Sequence, residues 1–224
     1  STLHCVVYAP NQYQVISNGA LQEESILKNG FRKTVWNENI PISTKLMVIG
    51  VADFVVGNKE TFNNIPVSSW VFPQNQEKEF ENYKLGSKAL KYFAELIGPY
   101  SYEKLAHVQS KTRYGGMENA GCIFYNENTY FRDKSQEQLF AHETAHQWFG
   151  NSVTEQNWHH VWLREGFATY LTHVYTQNFY GEAVFREGLK ADRERVVKYS
   201  QRIHSPIIDT TVTEYIKLLN ANSY

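Results

Sequence analysis

The sequence predicts an α+β chain whose strands are concentrated at the front and whose helices follow. Three observations carry this. Through residue 56 the apolar residues come in short β-branched and aromatic runs with no helical period. From residue 77 onward they recur at helical spacing over long stretches. The 224 residues are 42% hydrophobic and 15% aromatic, enough to fill the core of one domain, or of one domain plus part of another.

The elements can be justified in order. Val6-Val7-Tyr8, Val15-Ile16-Ser17, Arg32-Lys33-Thr34-Val35-Trp36 and Met47-Val48-Ile49 read as strands, with Asn18-Gly19 and Asn29-Gly30 as hairpin-like punctuation. Gly57-Asn58-Lys59, Pro66 and Pro73 mark a transition, within which Val67 to Phe72 reads as one more strand. Over 77–97, Phe80, Tyr83, Leu85, Ala89, Leu90, Phe93, Leu96 and Ile97 fall close to a helical period that Gly98-Pro99 ends. Leu105 to Gln109 and Gly121 to Tyr125 read as strands. Ser135 to Phe149 reads as a helix capped by Ser135 or Asp133. Trp158 to Tyr180 reads as a second, stopped by Gly181, and Glu182 to Ser200 as a third. The tail holds a Ser205-Pro206 turn and a short helix over Thr213 to Leu219.

With 22 basic and 23 acidic side chains, the net charge of −1 excludes the broad electrostatic footprint of a nucleic-acid or polybasic membrane binder. Two cysteines, Cys5 and Cys122, cannot build a disulfide framework; free thiols and a single bridge both stay open, and so does the redox compartment. The longest apolar run, Leu46 to Gly57, contains Asp53 and is too short to be a transmembrane segment. Ser1-Thr2-Leu3-His4 has no signal-peptide shape, although a signal removed from a longer precursor would leave none; localisation stays unknown.

The decisive segment is His142-Glu143-Thr144-Ala145-His146. Histidines at i and i+4 share one face of a helix, so their rings can converge on one metal ion, and the carboxylate beside the first can reach a water there without being a ligand. This is the HExxH zinc-hydrolase pattern, in which neutral nitrogens suit zinc and the glutamate takes a proton from water. Leu139, Phe140, Ala141 and Ala145 make the helix a buried one, where unpaired histidines and a glutamate would be costly. Glu165 follows His146 after 18 intervening residues, room for a loop and a return helix that presents a third ligand and leaves a fourth position open. A metzincin would need glycine and histidine where Phe149 and Ser152 stand.

Gly115-Gly116-Met117-Glu118-Asn119, His142 to Gly150, and Trp162-Leu163-Arg164-Glu165-Gly166-Phe167-Ala168 together resemble the three signature blocks of the M1 zinc aminopeptidases, the gluzincin group of aminopeptidase N and leukotriene A4 hydrolase. The resemblance implies that residues 1–58 are the C-terminal part of a β-rich N-terminal domain. Residues 59–224 would then be a thermolysin-like zinc-hydrolase domain, a small mixed sheet plus helices, truncated at its C-terminal end. It implies one zinc ion per chain on His142, His146 and Glu165, with Glu143 as the base. It implies that Gly115, Gly116, Met117, Glu118 and Asn119 bind substrate, Glu118 pairing with the free N-terminus of a peptide. It also implies a tyrosine that donates to the oxyanion; Tyr224, 59 residues after Glu165, stands at that place. Two positions depart from the family. Arg164 replaces a common asparagine, its charge either perturbing Glu165 or pointing outward. Thr172 replaces a common acidic residue that orients a zinc histidine. His159, His160 and His173 read as structural or surface residues, since the ligand set is already full.

The expected function is that of a metalloprotease: zinc-dependent removal of N-terminal residues from peptides, with no nucleic-acid partner and with the C-terminal part of the parent protein missing. The alternatives are a zinc-binding fragment with little activity of its own, or an epoxide hydrolase or endopeptidase on the same scaffold. Side-chain preference and oligomeric state are not written in the sequence.

Overall fold

A computed structural model describes residues 1–129 and 134–224. Its front part is built of short antiparallel pairings. Strand β1 (Leu3–Pro10) pairs with β4 (Phe31–Glu38), which pairs in turn with β3 (Ala20–Ile26). Strand β2 (Gln14–Ser17) pairs with β5 (Ile49–Ala52). Asn29-Gly30 lies in the hairpin between β3 and β4 as expected, but Asn18-Gly19 connects β2 to β3, which belong to different sheets. Strand β5 starts at Ile49, so Met47 and Val48 precede it. The unanticipated β3 carries Gln22, Glu23 and Glu24, all exposed; the partner backbone, rather than its own composition, makes it a strand.

The central sheet has the order β6-β7-β8-β10-β9, from β6 (Val55–Phe62), β7 (Ile65–Val71), β8 (Leu105–Ser110), β9 (Gly116–Met117) and β10 (Cys122–Asn126). Its inner pairings β7·β8 and β8·β10 are parallel, its outer ones antiparallel. Strand β6 passes through Gly57-Asn58-Lys59, read above as a transition; a shift in register between Gly57 and Glu60 absorbs the irregularity. Both faces of β8 and β10 are covered. Leu105, Ile123 and Tyr125 join a core with the helices, while Ala106, Val108, Cys122 and Phe124 pack against Cys5, Ile16, Trp36 and Phe54 from the front of the chain. Side chains that alternate across a sheet buried on two sides must all be apolar or paired, which is why these strands read as continuous apolar runs. Both cysteines are free and buried.

Helix α1 (Gln76–Leu96) packs on β6 and β7 and on α2 (Lys134–Ala145); α2 packs on α3 (Trp162–Tyr180), and α3 on α4 (Glu182–Ser200). Glu137 of α2 fastens the first three helices: Lys88 of α1 donates to it at 2.7 Å and the Tyr175 hydroxyl of α3 at 2.6 Å. Ser135 lies inside α2 rather than capping it, and Asp133, the other cap candidate, falls outside the described residues. Helix α2 also ends four residues short of Phe149. Gln147 and Trp148 bond back only three residues, to Thr144 and Ala145, so the last turn tightens before the chain reverses at Gly150. Helix α3 is preceded by a 3-10 turn, Trp158–His160, capped by the Asn157 side chain. Gly181 separates α3 from α4, and α5 (Tyr215–Leu218) is the short tail helix. No helix among the described residues is long and apolar enough to cross a membrane.

Candidate metal centre and substrate cleft

His142 and His146 project from one face at the end of α2, with their Nε2 atoms 3.1 Å apart. Although His146 follows the last assigned helical residue, its amide still bonds to the His142 carbonyl at 3.2 Å, which preserves the one-turn stacking of the two rings. Glu165 arrives from the first turn of α3, its Oε2 3.5 Å from His142 Nε2 and 3.6 Å from His146 Nε2. A tetrahedral ion with ligands at about 2.0–2.1 Å spaces them by about 3.3–3.4 Å, so this triangle has the size of one face of a zinc site. Two imidazoles and one carboxylate are also the donor set that suits that ion.

The electrostatics point the same way. Glu118, Glu143 and Glu165 are all buried around the triangle. Burial, reinforced by Glu118 and Glu165 against the opposing pull of His146 and Arg164, pushes the Glu143 carboxyl up to about 8. Burial alone would lower His146, but Glu118 and Glu165 lift it to about 9. The site is short of positive charge, and a dication among the three ligand atoms would relieve that shortage. His146 Nδ1 lies 3.0 Å from the Phe149 carbonyl oxygen. A carbonyl only accepts, so the ring proton sits on Nδ1 and Nε2 keeps its lone pair for a metal. Thr172 has no part in this, its hydroxyl donating to the Ala168 carbonyl at 2.8 Å in its own helix.

The opposite wall is β9, an edge strand on β10. Gly116 is required there by contact: a Cβ at that position would lie 2.4 Å from Glu143 Oε1. Glu118 follows, its Oε1 2.7 Å from Arg164 Nη1. Its carbonyl accepts from Gln147 Nε2 at 3.1 Å and from Asn151 Nδ2 at 2.7 Å, so the segment just beyond the motif helix clamps the strand that faces it. Gly115, Gly116, Met117 and Glu118 line a cavity of about 530 Å³ together with His142, Glu143, His146, Glu165 and Tyr224. Asn119 stands behind this wall, buried, with its amide donating to the Leu46 carbonyl at 3.3 Å. The Tyr224 ring stacks near His142, with ring centroids 6.5 Å apart. Burial and the Glu165 charge raise its phenol above its ordinary value. His159 bonds to the Val212 carbonyl and His173 to Asp192, both structural contacts.

Arg164 points inward, joining Glu118 to Glu165. Lys45, Trp158 and Tyr215 complete the cavity without any sequence signal to announce them. Gln147 and Asn151, buried one and five residues beyond His146, carried no such signal either: their burial and their shared partner, the Glu118 carbonyl, come from how the chain packs.

Comparison with known proteins bears on the family and the fold. The model of the peptidase family M1 domain matches residues 81–224. Aminopeptidase M1-C of Oryza sativa subsp. japonica is 35% identical over 185 residues, 76% of this chain and 21% of that protein. Glutamyl aminopeptidase of Rattus norvegicus is 31% identical over 184 residues, 76% and 19% respectively. The chain thus spans about a fifth of the length of the curated relatives it matches. Among solved structures, the M1 zinc metallopeptidase from Deinococcus radiodurans matches with a TM-score of 0.77 at 20% identity, over 100% of this chain and 49% of that one. The fold is therefore shared over the whole of this chain, and the sequence match over its larger part shows that the chain belongs to peptidase family M1.

Proposed function

We propose that the chain carries the metal site and the substrate anchor of a zinc-dependent aminopeptidase. One observation carries the reading: the ligand atoms of His142, His146 and Glu165 converge beside a buried Glu143, across a single cavity from Glu118. His142, His146 and Glu165 would hold the ion, which when bound would polarise the scissile carbonyl and acidify a water. Glu118 receives the peptide's α-ammonium, so that only the first peptide bond reaches the triangle. The Glu143 carboxylate takes a proton from the attacking water at one of its oxygens, and the same group returns it to the leaving nitrogen. Tyr224 donates its hydroxyl hydrogen to the carbonyl oxygen as that oxygen gains charge. The aminopeptidases among the relatives support aminopeptidase action, and the Deinococcus zinc metallopeptidase supports zinc.

The test is Glu143→Ala. Hydrolysis of free-amine amino-acid anilides should fall by about 10³-fold or more, while zinc content measured by atomic absorption stays at one ion per chain. Normal turnover in that variant would sink the mechanism. N-acetylated anilides should be refused by the unsubstituted protein, and equal use of both forms would indicate an endopeptidase. Turnover by the full-length parent with none by these 224 residues would indicate a metal-binding part that needs the rest of its protein.

A further inference from the structure

Arg164 has no part in that mechanism, yet it is only 3% exposed and is held from several directions. Its Nη1 donates to Glu118 Oε1 at 2.7 Å, and its Nη2 lies 3.0 Å from Glu165 Oε1. Nη2 also donates to the Tyr215 hydroxyl, and the guanidinium carbon lies 5.8 Å from the centre of that ring. Room for the stem comes from Gly150: at φ +122°, a Cβ there would stand 2.5 Å from Arg164 Cγ. A guanidinium seated this way cannot swing aside without leaving a buried charge unpaired.

The consequence falls on the substrate anchor. Glu118, Glu143 and Glu165 would bring three negative charges to the cavity. A dication offsets two of them and Arg164 the third, while Lys45, which also lines the cavity, is paired with Glu155. Glu118 is thus already partnered before any substrate enters, and an α-ammonium must share its carboxylate with a fixed like charge.

We propose that Arg164 is a specificity-determining residue: it holds Glu118 in a standing ion pair and so sets how strongly the site prefers a charged α-nitrogen to no charge at that place. The inference rests on the reading of Glu118 as the amine anchor. With asparagine, the common family residue, the same carboxylate would be uncompensated and more demanding of an ammonium.

Two probes isolate the effect, leucinamide and 4-methylpentanamide, which share a carbonyl and a side chain and differ only in the amine. The ratio of their dissociation constants is measured by competition calorimetry on zinc-loaded protein in the Glu143→Ala background, where leucinamide binds without being hydrolysed. In Arg164→Met the preference for leucinamide should rise by about tenfold or more over the protein that keeps Arg164, while Arg164→Lys, which keeps a positive charge there but cannot bridge both carboxylates, should rise by less than Arg164→Met. A preference in Arg164→Met that stays within threefold of the original, or that falls, overturns the proposal. If the methionine variant does not fold, Arg164→Gln, neutral and still a donor to Glu118, carries the same expectation. A purely structural role would weaken both probes alike and leave the ratio unmoved. Failure of the unsubstituted protein to hydrolyse leucine anilide would count against the aminopeptidase reading alone, since the ratio is read by binding.

Discussion

Glu143 stands where it does because position 116 has no side chain. The missing Cβ is what separates the Glu143 carboxylate from strand β9, and the margin is less than one methyl group. Gly116→Ala should therefore displace the Glu143 carboxylate by the better part of an ångström and reduce kcat by about 10²-fold, with zinc content unchanged. Gly115→Ala, whose new Cβ meets only Leu139 Cδ1 at 3.8 Å, should cost far less. Steady-state kinetics on the pair separates contact from a general intolerance of side chains on this strand, and equal losses would contradict the contact argument. At this scale the sequence was legible where the chemistry is local. Two histidines one helical turn apart, with a glutamate between them, need no tertiary information to be recognised as a site. Arg164 shows the limit. Whether it faced in or out depended on how α3 docks beside Gly150 and on a partner 46 residues away, Glu118, and neither is encoded near position 164.

The elements around the site are held by buried amides rather than by apolar contact alone. Asn18, expected only as a turn residue, sends its Nδ2 to the Leu46 carbonyl at 2.9 Å and to the Ala120 carbonyl at 2.8 Å, while its Oδ1 accepts from the Val48 amide at 2.8 Å. Ala120 lies two residues beyond Glu118, so the front strands help to fix the position of the segment that carries Glu118. Asn18→Ala would leave the Ala120 carbonyl and the Val48 amide without that partner, and the Leu46 carbonyl with Asn119 alone, and should destabilise the fold by about 2 kcal/mol, seen as a lowered urea midpoint. A midpoint equal to the original would show that these bonds add nothing. The strands that escaped the sequence reading, β3 and β6, are those with polar or half-exposed faces, where pairing partners rather than side chains decide the conformation. Elements buried on one or both faces, α1, β8 and β10, were legible to within a residue or so because their apolar period is imposed by the core.

Over the whole molecule the central sheet is the common wall of two cores, and one titratable group is sealed inside it. His107 on β8 is completely buried, with Nδ1 3.0 Å from the Tyr125 hydroxyl and no partner for Nε2 among the described residues. Burial, only partly opposed by Glu60, pushes it down to about 3. The unfolded chain takes up a proton on this ring near its ordinary value of about 6.5, whereas the folded chain does not until about pH 3. Stability is therefore intact above about pH 6.5 and declines as the pH falls towards 3, by at most about 1.4 kcal/mol per unit from this group. Denaturant titrations between pH 7 and 5 should show a shallower decline in His107→Gln, and identical slopes would remove His107 as a cause. The two-sided burial of β8 and β10 also couples the two cores. Cys5, Ile16 and Trp36 catalyse nothing, yet they rest on Cys122 and Phe124, whose neighbours along the strand line the core beneath the motif helix. A substitution that voids or overfills the packing at the front of the chain is thus felt across the sheet, in the core on which the motif helix rests.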